Sequence, residues 1–180
     1  TKFLVATPED FNKKITVSKL RNFVTKNNLD ILAIDGISYL TDERYKRGDN
    51  KTTTLTNLSE DLISLSNELH IPIHVVVQSN RGGIKEDENA TPELEDIRDS
   101  DGIAQNATKV ISLKQSHEEL ILSVKKNRDG KNNISLKYLW DIDKGKFEFS
   151  GNAKRESSLE PLSEKEPKMK KKKVYAFWLV

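Results

Sequence analysis

Cysteine is absent from the 180 residues, which excludes disulfides and thiolate metal sites and suits a reducing compartment. No apolar run approaches the roughly 20 residues of a membrane-crossing helix, and Thr1-Lys2 opens into a strand-like stretch instead of a signal peptide. The expectation is a cytoplasmic protein without a membrane partner. Charge of one sign is also lacking: 30 Lys and Arg against 28 Asp and Glu leave a net +2, so any contact with nucleic acid must be local. Neither a Gly-x-x-x-x-Gly-Lys-Ser/Thr phosphate loop nor a Gly-x-Ser-x-Gly elbow occurs. His70 and His74 flank Pro72 and His117 sits in a separate loop, with no cysteine partners, so the three histidines do not make a metal site.

What is present is an alternation of strand and helix patterns. Phe3-Leu-Val-Ala6, closed by Thr7-Pro8, reads as a strand. Val17, Leu20 and Val24 recur at helical spacing between Thr16 and Asn28. Leu29 to Ile34 is nearly continuous aliphatic, the composition of a strand buried on both faces, and Asp35-Gly36 closes it. A polar loop leads to the stripe Leu55, Leu58, Leu62, Leu65 and Leu69, the clearest helix, and then to a second buried-strand composition from Ile71 to Val77. Strand, helix, strand, helix, strand implies two right-handed crossovers and a parallel sheet in an α/β fold.

Residues 81 to 101 are charged, contain glycine and hold almost no aliphatics, which marks a functional loop. Short strands over 109–113, 120–124, 134–139 and 146–149 then extend the sheet with antiparallel or mixed pairing. Beyond Gly151 the chain turns to Ser, Glu, Lys and Pro, so a domain over 1–150 and a disordered tail over 151–180 are expected. Within the tail, six lysines between Lys165 and Lys173 precede the apolar Val174-Tyr-Ala-Phe-Trp-Leu-Val180, a peptide suited to a partner's groove.

Four places carry candidate chemistry. Asp35 ends a buried strand, where a carboxylate holds magnesium through water or simply begins an Asp-Gly turn. Gln78 ends the next strand, where an amide can report a terminal phosphate, and Arg81-Gly-Gly83 beyond it supplies a cation on a pliable turn. Arg98 sits among acids with Ser100 and Gly102 beside it, either a salt-bridged surface residue or a phosphate contact. Lys126 and Arg128 alternate across Asn127, as neutralising fingers for a neighbour's nucleotide or as a basic strand edge.

Taken in order, these residues resemble the hexameric replicative DNA helicases of the DnaB type, bacteriophage versions included, over about Phe3 to Phe149. Leu32-Ala-Ile-Asp35 is similar to that family's Walker B strand, and Asn67 to Pro72 leading into Val77-Gln-Ser-Asn-Arg81 is similar to the segment bearing its phosphate-sensing glutamine. Pro92 to Gln105 resembles the DNA-binding loop, and Lys126-Asn-Arg128 the Lys-x-Arg finger. The resemblance implies a RecA-like, partly parallel sheet flanked by helices and extended by antiparallel strands, lacking the amino-terminal part of the motor.

It further implies ATP and Mg2+ as cofactors, with Asp35 on the metal, Gln78 on the nucleotide, and Lys126 and Arg128 acting on ATP of the adjacent subunit. Arg81, Arg98, Asp99, Ser100 and Gly102 would meet single-stranded DNA. The partners implied are that strand and further copies in a hexameric ring, in the host cytoplasm if the protein is viral, with a replisome partner for the tail. Asp101 stands where the family usually has glycine directly after the serine, and Ala104 where it commonly has glutamate. The phosphate loop and the catalytic glutamate would lie upstream of Thr1, so these residues alone are expected to be inactive. The alternative reading is a non-catalytic, degenerate RecA-like module that binds DNA or helicase partners, and a recombinase-like ATPase shares the same fold.

Overall fold

A computed structural model describes residues 3–79, 91–97, 101–116, 118–141, 143–153 and 174–179. Helix α1 spans Val17–Asn27, with the Thr16 hydroxyl accepting from the Lys19 amide at 3.3 Å and Asn28 closing it in the left-handed region. Helix α2 spans Lys51–Leu69; Asn50 Oδ1 accepts from the Thr53 amide at 2.8 Å, and His70 ends it at φ 53°. These caps explain why both helices stop where their apolar periodicity stops. Between them lies β1, Leu32–Asp35, and after α2 comes β2, Ile73–Gln78.

The two strands pair in parallel, with Leu32 opposite Ile73 and Asp35 opposite Val76. Their alternate residues Leu32, Ile34, Ile73, Val75 and Val77 are buried in one cluster with Leu55, Leu58, Leu62 and Leu65 of α2. This is one crossover unit, as the helix between parallel strands requires. The expected first strand is not formed: Phe3 and Val5 are 87% and 77% exposed, and residues 3–7 carry no ladder. An apolar run becomes a strand only through a neighbouring strand that takes its hydrogen bonds, and among the described residues none lies beside it.

Helix α3, Asp101–Asn106, leads into an antiparallel meander of β3, Lys109–Gln115, β4, Glu119–Asn127, β5, Ile134–Asp141, and β6, Lys146–Asn152. The tail supplies a correction. Its apolar end forms β7, Val174–Leu179, which lies inside the sheet in the order β1-β2-β7-β3-β4-β5-β6. It is antiparallel to both neighbours, with Val76 and Ile111 flanking Trp178. A tail judged by its lysine-rich composition looked unable to order; a seven-residue apolar end can do so once two strand edges present unpaired backbone groups to it.

The helices cover one sheet face only. Register through β7 places Asp35, Val76, Ile111, Val124 and Ile134 on the other face, beside the aromatic group in which Tyr138 stacks on Phe147 at 4.6 Å. Among the described strands, β7 alone joins the parallel pair to the meander. Deleting residues 174–180 is therefore expected to lower the thermal midpoint and to speed amide exchange in β2 and β3 first; unchanged exchange in both strands would show that β7 does not hold them.

Candidate functional site

The parallel pair builds one rim. Asp35 lies opposite Val76, so Gln78, two residues further along, projects from the same face of the adjacent strand. Both residues are exposed, whereas the intervening Ile34, Val75 and Val77 face the core. Gly36 follows because β2 passes close by: a Cβ there would stand 2.9 Å from the Val76 carbonyl oxygen. Among the described residues no cluster of three His, Cys, Asp or Glu could hold a metal by itself. A single exposed carboxylate still fits Mg2+, an ion that keeps several waters and takes its other ligands from phosphates.

Beyond Gln78 the chain bridges Ser79 to Ile97, so the rim runs straight into the root of the loop. Arg81, Arg98, Asp99 and Ser100 lie outside the described residues. The flanks are well defined. Thr91, Pro92 and Ile97 are buried, and Leu94–Asp96 forms a short turn in which the Asp96 carboxylate accepts the Glu93 amide at 2.8 Å and the Glu93 carbonyl accepts the Asp96 amide at 3.1 Å. On the far side Gly102 packs α3 onto α2, since a Cβ would stand 2.5 Å from Thr56 Oγ1. The same contact is fastened where Asn106 Nδ2 donates to Ser59 Oγ at 2.7 Å. Its glycine is thus explained by helix packing, a reason that the loop pattern did not reveal.

Lys126 and Arg128 converge. The Lys126 ammonium donates to the Ala104 and Gln105 carbonyls at 2.9 and 2.8 Å, and Arg128 Nη2 donates to the Gln105 carbonyl at 3.0 Å. These are carbonyls at the end of α3, which have no partner inside the helix and favour a cation. Burial, and then the neighbouring Arg128 guanidinium, push the Lys126 pKa down. The pair sits away from the Asp35–Gln78 rim: β4 runs back toward the start of β3, and Arg128 donates its amide to the Thr108 carbonyl. Its neighbour Asp129 lines a surface recess with Pro72 and Ile73, where β2 begins. Register through β7 sets Lys126 level with Val75, one step from Asp35, so the two groups are separated across the sheet, with β2, β7 and β3 between β1 and β4, and by face, since Lys126 pairs with the buried Val110.

Sequence reasoning passed over Lys125. Val110 pairs with Lys126 and Ile111 with Val124, so Lys125 is the extra residue of a β-bulge. Its side chain is 5% exposed and its ammonium lies 2.9 Å from Glu93 Oε2. Neither residue was given a role, although Glu93 lies within the stretch from Pro92 to Gln105, and no local spacing connects them.

The DnaB-like helicase C-terminal domain model matches residues 2–148. The chain belongs to that family. Its fold is accordingly a partial RecA-like α/β domain, and the match covers the stretch over which the resemblance was read. Among curated relatives, a probable plasmid replicative DNA helicase of Chlamydia trachomatis is 28% identical over 130 residues, 71% of this chain and 28% of the relative. The replicative DNA helicase DnaB of Mycoplasma genitalium is 25% identical over 135 residues, 66% of this chain and 29% of the relative. That of Rickettsia bellii is 29% identical over 108 residues, 60% and 21% of the two chains. The chain thus spans less than a third of the length of these relatives.

Within this family member the packing at Gly102 is open to a direct check. Gly102→Ala is expected to cost about 1–3 kcal/mol in chemical denaturation, because Thr56 is short and β-branched and cannot swing away. Adding Thr56→Ala should recover most of the loss; equal destabilisation with and without Thr56 would refute the close-approach explanation.

Proposed function

We propose that the chain is the carboxyl-terminal part of an ATP-driven replicative helicase motor that travels on single-stranded DNA as a ring of copies and separates the duplex. The observation that carries this reading is the division of charged groups between the two faces of the sheet and between strands far apart in it. Asp35 and Gln78 share one rim on the open face of β1 and β2, while Lys126 stands opposite the buried Val110 on the helix-bearing face, with three strands between β1 and its own β4 and with Arg128 beside it on the same carbonyl. A nucleotide at the rim is out of reach of the basic pair of its own chain. The pair is instead offered to a neighbour.

In this reading Asp35 orients a water on Mg2+, and the Gln78 amide hydrogen-bonds the terminal phosphate. Lys126 and Arg128 of the adjacent copy neutralise the charge that develops as the phosphoryl group leaves. ATP supplies the phosphoanhydride whose hydrolysis drives the cycle, and a segment carrying a phosphate loop completes the pocket. Arg81, Arg98, Asp99, Ser100 and Gly102 meet the strand's backbone, where an arginine contributes charge-assisted contacts without reading sequence. The setting is the cytoplasm, that of a host if the protein is viral.

A second reading has its own support. Lys126 already spends two of its three donors on the chain's own α3, and β7 fills the sheet interior. A non-catalytic module that binds DNA or helicase partners would look the same.

Activity separates the two. The 180 residues alone should turn over ATP no faster than background, and a polypeptide supplying the phosphate-loop segment should restore turnover. Arg128→Ala should then lower the restored rate by about a thousandfold or more with nucleotide binding retained. A rate insensitive to Arg128, or no restoration, favours the module. Separately, Arg98→Ala should weaken single-stranded DNA binding and reduce the slope of log K against log salt by about one; an unaltered slope returns Arg98 to a surface ion pair.

A further inference from the structure

The loop segment is gripped from one place. β4 ends in Lys125-Lys126, and because of the bulge both side chains reach the helix-bearing side of the sheet. Lys126 holds the segment after the loop through the Ala104 and Gln105 carbonyls. Lys125 holds the segment before it, through Glu93 at 2.9 Å. Glu93 is also tied to the turn Leu94–Asp96, donating its amide to Asp96 Oδ2 at 2.8 Å and accepting the Asp96 amide on its carbonyl at 3.1 Å, and this turn delivers the buried Ile97 and its bridge to Ser79.

An ion pair with a lysine side chain 5% exposed and a glutamate 28% exposed differs from the other pairs here. Arg21–Glu68 and Arg44–Glu60 have all four side chains more than 40% exposed, where water and salt screen the attraction. The buried pair is screened much less. It also holds its geometry, because Lys125 is packed and the Glu93 backbone is fixed on both sides by Asp96.

We propose that Lys125 is a positioning residue for single-stranded DNA binding: its partly buried ion pair with Glu93 sets the segment that leads into Arg98 in the sequence, while Lys126 sets the segment that follows the loop. The strand that bears the trans-acting basic pair is thereby the strand that holds the DNA loop. This inference rests on the reading that the Arg98 segment contacts single-stranded DNA.

The test uses the whole chain and fluorescein-labelled oligothymidylate, with anisotropy titrations at several NaCl concentrations. Glu93→Gln is the informative variant. It leaves the backbone bonds between Glu93 and Asp96 in place and removes a negative charge beside an anionic ligand, so simple electrostatics would tighten binding. Positioning demands the opposite, about five- to tenfold weaker binding with a salt slope reduced by about one, as the well-placed phosphate contact is lost. Lys125→Met should do the same, and the exchanged pair Glu93→Lys with Lys125→Glu should restore affinity to within about twofold, the sign of a coupled pair.

Arg98→Ala is measured alongside. If it weakens binding while Glu93→Gln leaves it unchanged or tightens it, the positioning role is overturned and the loop reading stands. If Arg98→Ala itself changes nothing, the loop reading fails and this inference falls with it.

Discussion

Burial of alternate β1 and β2 residues against the leucine stripe of α2 is the constraint on which the rest depends. Leu32, Ile34, Ile73, Val75 and Val77 join Leu58 and Leu65, the latter two 1% and 0% exposed, in one cluster. Because side chains alternate along a strand, sending these five inward sends Ala33, Asp35, His74, Val76 and Gln78 to the other face. A one-residue slip would bury the carboxylate and expose the core. The same apolar contact that stabilises the fold therefore assigns Asp35 and Gln78 their common rim, with no interaction between the two residues required.

A second layer of organisation gathers at the end of β4. The bulge at Lys125 re-aims the strand, and three consecutive features follow from it: a buried ion pair to Glu93, an ammonium on the last carbonyls of α3, and a guanidinium beside it. Helix α3 has only six residues, too few to be stable alone, and its carbonyl end is satisfied by β4 while Gly102 lets its other end lie flat against Thr56. Local structure around the loop is thus held by tertiary contacts on both sides. The parallel pair presents one open face among the described residues, an arrangement that parallel strands rarely tolerate without a covering layer. The open face bears both Asp35 and Gln78.

Much of this was readable from the residues. Val17, Leu20 and Val24 at helical spacing, bounded by Thr16 and Asn28, specify α1 together with both caps. Leu55 to Leu69 specifies α2, and the aliphatic runs before Asp35 and through Val77 specify β1 and β2. All four meander strands fall where turn residues and alternation place them. Phe3 to Val5 carries equally strong apolar character and forms no strand, and Val174 to Leu179 stands in a lysine-rich tail and does. In each case the deciding quantity is the presence of a partner edge, which composition does not contain.

By itself the sequence determined α1, α2, β1, β2 and the four meander strands, and the placement of Asp35 and Gln78 at strand ends, because those signals are local periodicities and caps. Tertiary structure alone decided that the two basic residues lie across the sheet and on the face opposite Asp35 and Gln78, that Lys125 turns inward to Glu93, and that β7 enters between β2 and β3. Each of these depends on register between segments far apart in the chain, where one residue of bulge or one unpaired edge redirects every side chain that follows.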